Sequence, residues 1–137
     1  MYSKLATIEL CGWIEMSIDD LVERVLIRKT RPGEIRSSGT RALKQIHGFS
    51  FENGFRKALV GCIGAVGLEA VEAKISAMTR DRLKRNLDEL IVERNKLAHT
   101  YLKGVTQTIE APSVVTSRFE EVLIGLRAYE TELRRLY

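Results

Sequence analysis

The sequence predicts an all-α fold: an antiparallel bundle of four to five helices in which the first, fourth and last are long. Three observations predict it. Apolar residues recur at spacings of three and four through several long stretches, the period of a helix with one buried side. Only two prolines, Pro32 and Pro112, interrupt 137 residues. The segments between the periodic stretches are short, which favours neighbours running antiparallel. With 45% apolar and 29% charged residues the chain has a globular composition. Its length fits one domain, residues 1–137, which buries roughly two thirds of its unfolded surface and so holds a core without disulfides or metal.

The first helix is expected from Tyr2 to about Arg28, with Leu10, Ile14, Ile18, Leu21 and Val25 on one stripe and Asp19, Asp20, Glu23 and Arg24 on the other side. Arg31-Pro32-Gly33 stops it, because proline disfavours helix in the residue before it and glycine suits a turn. Residues 33–51 read as the least regular part, with Ser37-Ser38-Gly39-Thr40 as a loop that caps a short helix through His47. Phe51 to Ile63 is a further helix, with Phe51, Phe55, Leu59 and Cys62 or Ile63 on its face. Gly61, Gly64 and Gly67 recur every third residue. Without the lysine and strand-then-helix setting of a phosphate loop, they fit a bend or a close helix contact.

Leu68 to Met78 reads as another helix, and Thr79, followed by Asp81 and Arg82, as the cap of the next one, from about 80 to 102. Gly104 to Pro112 is a polar loop whose β-branched run, Val105 to Ile109, suits a short extended piece. The last helix is expected from about Ser113 to Tyr137, with Phe119, Val122, Leu126, Tyr129, Leu133 and Leu136 buried.

Net charge is +4, which favours acidic partners without choosing among RNA, DNA, membrane and acidic protein. From Arg28 to Lys57, eight basic residues stand against Glu34 and Glu52, a local charge of +6. That stretch is either a solvated loop or a phosphate-facing surface. Cys11 and Cys62 lie far apart among apolar neighbours, with no adjacent histidine, so buried free thiols are expected and a metal site is not. The amphipathic opening carries Glu9 and Glu15, which does not read as a signal peptide, and no run approaches about 18 apolar residues. A cytoplasmic protein with no membrane contact is expected.

The stretch LDELIVERNKLAHTYLK, Leu87 to Lys103, carries the chemistry. At about 100° per residue, Leu83, Leu87, Leu90, Ile91, Leu97, Ala98 and Tyr101 span one apolar arc, and Arg94 falls near its middle. An unpaired cation there would cost several kcal/mol, so Arg94 needs a carboxylate, an interface or a bound anion. Glu15, beside the apolar stripe of the first helix, is the candidate carboxylate. His99 lies roughly 140° around the helix from Arg94, with Asn95 one turn before it on its own face. One helix does not easily bring both groups to one phosphate, which points to a second copy of the chain.

Arg94-Asn95-Lys96-Leu97-Ala98-His99 resembles the motif of the HEPN family: an arginine, four to six residues, then a histidine, commonly with a polar residue after the arginine. The motif's place late in a long helix is similar too, and the opening CGWIEMSIDDLV with its following basic segment resembles the first helix of bacterial members. The resemblance implies a bundle of four to five helices and a ribonuclease that needs no metal or other cofactor and works at a homodimer cleft. It implies catalytic roles for Arg94, His99 and Asn95, and a 2′,3′-cyclic phosphate product. Histidine, with an ordinary pKa near 6.5, suits proton transfer, and arginine's fork suits a phosphate on which charge develops. Stand-alone bacterial members are often toxins, which implies a toxin or defence role and an antitoxin, commonly a small nucleotidyltransferase.

Lys96, Lys103, Arg41 and Lys44 are candidate contacts to substrate phosphates, although each also reads as a solvated surface charge. Two alternatives stay open. One is a non-catalytic module of the same family that binds RNA or nucleotides or serves dimerisation. The other is a helical bundle whose basic segment docks on an acidic protein.

Overall fold

The computed structural model describes the backbone of residues 2–45, 48–103 and 112–136, and the side chains of 6–45, 48–97 and 114–136. The chain folds as α1 (Tyr2–Lys29), α2 (Glu34–Lys44), a π-helical segment (Phe51–Arg56), α3 (Lys57–Glu72), α4 (Ala77–Lys103) and α5 (Pro112–Leu136). It is an all-α bundle whose first, fourth and last α-helices are the long ones. No strand occurs among the described residues. The expected extended piece, Val105 to Ile109, and His47 lie outside them.

In α1 the stripe Leu10, Ile14, Ile18, Leu21 and Val25 is buried, joined by Cys11, Val22 and Leu26. The carbonyls at its C-terminal end are claimed by one side chain. Arg36 donates from Nε to Thr30 Oγ1 at 3.0 Å, and from Nη2 to Ile27 O at 2.8 Å and to Thr30 O. Such groups otherwise lack a helical partner. This clamp folds α2 back along α1 and explains a departure from the expectation. Ser37 to Thr40 are not a loop but lie inside α2, where Thr40 Oγ1 donates to the Arg36 carbonyl at 3.0 Å. Gly39 is the contact point: a Cβ there would lie 3.0 Å from Leu26 Cδ1.

The π-helical segment begins where the Ser50 carbonyl accepts from both Gly54 N–H (3.1 Å) and Phe55 N–H (2.9 Å), a turn one residue wider than α. Asp88 Oδ1 of α4 accepts the Phe51 N–H at 3.0 Å and ties the segment to that helix. Within α3 the middle glycine of the expected bend, Gly64, takes φ 77° and ψ 167°. The chain reverses there, so Arg56 meets Glu72 sixteen positions on, with Nε to Oε2 at 3.0 Å. The buried Glu72 carboxylate also accepts the Tyr129 hydroxyl of α5. Tyr129 is itself buried edge-on to Phe55, at 4.9 Å between ring centroids.

The helix expected from Leu68 to Met78 does not exist as one element. Its first residues close α3, a turn follows at 73–76, and Met78 already belongs to α4. The α4 cap is Ser76 and not Thr79: Ser76 Oγ accepts the Thr79 N–H at 3.1 Å, a bond in the N-cap to N3 register. Helices α4 and α5 run antiparallel, with Gly125 against Leu83, Glu121 on Asn86 at 2.6 Å and Arg118 on Glu89 at 2.8 Å. Helices α1 and α5 lie side by side in the same direction, with Trp13 on Phe119 and Arg24 facing Glu130. The buried stripe of α5 ends at Leu133; Leu136, expected inside, is exposed at the last residue of that helix. No described helix is long and apolar enough to cross a membrane.

A candidate site around Arg94

Leu83, Leu87, Leu90 and Leu97 turn one face of α4 into the core, and Arg94 stands on that arc. Its guanidinium is satisfied in two ways. Nη1 donates to Glu15 Oε1 of α1, where the two helices cross, and the guanidinium carbon lies 5.1 Å from the ring centroid of Phe49. The carboxylate expected beside Arg94 is therefore the one the structure pairs with it. The side chain remains 33% accessible, enough for a ligand to reach it.

Phe49 is a rigid floor because three features hold it. It is fully buried. The Asp88–Phe51 bond pins the chain two residues later. Gly54 lets the 48–49 backbone approach: a Cβ there would stand 2.8 Å from Gly48 O and 3.2 Å from Phe49 Cα.

Arg94 lies at the edge of a groove of about 700 Å³ between α1, α2 and residues 48–58. Glu15, Asp19 and Glu23, one helical turn apart on α1, line one wall, and Thr40, Leu43 and Lys44 of α2 line the other. Burial first, then the neighbouring Glu15 and Glu23, raise the Asp19 carboxyl above its usual value. Behind Glu15, burial pushes the Cys11 thiol up to about 11, against the pull of Arg94. Cys11 and Cys62 are both free thiols.

Of the residues singled out in the sequence, the structure brings together Arg94, Glu15 and Lys44. Asn95 and Lys96 are exposed on α4. Arg41 is exposed on α2, does not line the groove, and reaches Ser38 Oγ at 3.4 Å on its own helix. The backbones of His99 and Lys103 belong to α4, but their side chains lie outside the described residues. Since α4 is continuous from Ala77 to Lys103, His99 stays about 140° around the axis from Arg94.

The sequence did not point to Asp19, Glu23 and Phe49 as residues lining a groove beside Arg94. The four-residue spacing of the acids was visible, whereas Phe49 sat in a segment with no helical period. Among the described residues no group of three or more potential ligands gathers to hold a metal ion. An arginine held on a ring at the end of an open groove can receive a phosphate or carboxylate through its fork. Comparison with protein-family models, curated proteins and solved structures finds no match to this chain.

Proposed function

We propose that this chain is a metal-independent endoribonuclease of the HEPN type, acting in the cytoplasm as a homodimer in a toxin or defence role. One observation carries the reading. Arg94, five residues before His99 on one continuous helix, is held on a buried ring at an open groove instead of being sealed in the core. A cation sealed in the core with its carboxylate is desolvated and out of reach of any ligand. An anion-binding one needs a fixed base and an open face.

In the proposed reaction Arg94 holds the scissile phosphate. The 2′-hydroxyl oxygen attacks phosphorus and the bond from phosphorus to the 5′ oxygen breaks. One copy of His99 takes the 2′ proton, and the His99 of a second copy protonates the leaving oxygen. The products are a 2′,3′-cyclic phosphate and a 5′-hydroxyl end. Asn95, one turn before His99, orients the imidazole or the phosphate. Lys96, Lys103, Arg41 and Lys44 contribute to phosphate attraction along the strand. A nucleotidyltransferase-type antitoxin is the proposed restraining partner.

The test is RNA cleavage by the wild type and by His99→Ala at matched oligomeric state with EDTA present. Cleavage that disappears in the variant supports the reading; cleavage that persists, or 3′-hydroxyl ends alone, overturns it. A second reading, a non-catalytic binding module, draws on Glu15, which already neutralises Arg94. It predicts RNA or nucleotide binding unchanged in His99→Ala and no cleavage by either protein.

A further inference from the structure

The groove beside Arg94 carries more than a phosphate site needs. At about 700 Å³ it is in the range of pockets that hold a whole small organic ligand. Beside the Phe49 floor, Ile18, Val22 and Leu43 add apolar surface to its lining, which suits the face of a flat ring. Its two walls differ in chemistry: α1 presents acceptors through Asp19, and α2 presents a donor through Lys44. Asp19 sits one helical turn, about 6 Å of rise, beyond the Glu15 that anchors Arg94. The charges acting on the Asp19 carboxyl come from Glu15 and Glu23, both acidic, so a hydrogen-bond donor placed against it is favoured.

We infer that the groove is a guanine subsite: Asp19 accepts from a guanine base, Lys44 donates to it, and Arg94 holds the phosphate of the same nucleotide. Guanine places an imino N–H beside an amino group, and a carboxylate accepts from both at once. Adenine and cytosine offer a carboxylate only an amino group, and uracil only an imino N–H. Guanine O6 and N7 are the acceptors that a lysine contacts. The inference rests on the ribonuclease reading only in taking RNA as one source of the nucleotide. A free guanosine phosphate presents the same groups.

Calorimetric titration of the whole protein with guanosine 3′-monophosphate and adenosine 3′-monophosphate tests the subsite without any cleavage step. The wild type is expected to bind the guanosine form about ten-fold tighter or better, the discrimination a two-bond base contact gives. Asp19→Asn keeps the size of the side chain on the groove wall, outside the packed core. It is expected to retain phosphate binding and lose the preference, because its amide opposes the guanine amino group with a second donor.

Equal binding of the two nucleotides by the wild type, no binding of either, or a preference that survives Asp19→Asn overturns the inference. Titrating His99→Ala with an oligoadenosine strand carrying one guanosine identifies the source. Binding tighter than the mononucleotide assigns the subsite to RNA, and weaker binding assigns it to a free guanine nucleotide. A guanine preference without cleavage leaves the subsite standing while the ribonuclease reading falls.

Discussion

The guanidinium of Arg94 stacks on Phe49, 5.1 Å from a ring that solvent does not reach. The contact joins the helix that carries the cation to a segment more than forty positions earlier, and it holds Arg94 by a second contact besides Glu15. A cation on an aromatic face gains about 0.5–1 kcal/mol at partly exposed sites, and the larger effect is on direction.

Phe49→Leu separates these two effects. Leucine keeps most of the apolar volume, so the expected loss of stability is about 1–2 kcal/mol, against about 3–5 for Phe49→Ala. If Arg94 holds the scissile phosphate as proposed, RNA cleavage is expected to fall by about ten-fold or more, because a displaced holding group is costly to an aligned reaction. Urea unfolding and cleavage rates on one preparation check this. Unchanged cleavage in a folded Phe49→Leu protein would remove Phe49 from the site.

Glu72 is the hub of the chain reversal, holding Arg56 and accepting the Tyr129 hydroxyl while itself buried. Glu72→Gln is expected to cost about 2–3 kcal/mol, since a hydrogen bond loses its charged acceptor and Arg56 keeps only Glu52. Tyr129→Phe removes a single donor and is expected to cost about 1–2 kcal/mol. In the double variant the losses are expected to fall short of their sum, because the two groups share one bond. Simple additivity in denaturant unfolding would show that the bond contributes nothing.

The long helices were legible because each buries one stripe over many turns, and period alone marks them. What escaped the sequence depends on single contacts across the chain. Residues 37–40 carry small polar side chains that favour loops locally, yet Arg36 clamps the end of α1 and the helix forms around them. Ser76 and Thr79 are both acceptable caps, and only the turn after Glu72 decides for Ser76. The Arg94–Glu15 pair was readable because a cation on an apolar arc needs a carboxylate, an interface or a bound anion, and α1 offers Glu15 beside its stripe. The groove was not, because its floor comes from a segment of irregular backbone.

Two glycines predict opposite signs for the same substitution. Gly54→Ala drives a Cβ into the backbone at Gly48 and Phe49, where nothing flexible can yield. It is expected to cost about 1–3 kcal/mol and to disturb the Arg94 platform. Gly12 lies on the exposed side of α1, and a Cβ added there would meet no atom within 4 Å. Gly12→Ala is expected to stabilise by about 0.5–1 kcal/mol through helix propensity. Thermal unfolding of both variants decides it, and a destabilised Gly12→Ala protein would mean that this face of α1 is covered by another molecule.

The buried Cys11 thiol predicts a loss of stability in alkali. Unfolded, it titrates near its ordinary value of 9.0; folded, burial holds the proton until about 11. Between those values the unfolded chain has released a proton that the folded one keeps, so rising pH favours unfolding. The contribution is whole below about pH 9 and is lost as the pH climbs towards 11, at a limiting slope of roughly 1.4 kcal/mol per unit. Cys62, half-buried and also held up to about 11, adds a term of the same sign. Tyr129, raised from 10.0 by burial and by Glu72, adds its own only above about pH 10. Urea midpoints between about pH 8 and 10 therefore isolate the thiols. Cys11→Ala is expected to be less stable at neutral pH, having lost a packed sulfur, and to decline less steeply in alkali. An equally steep decline would place the alkaline transition elsewhere in the fold.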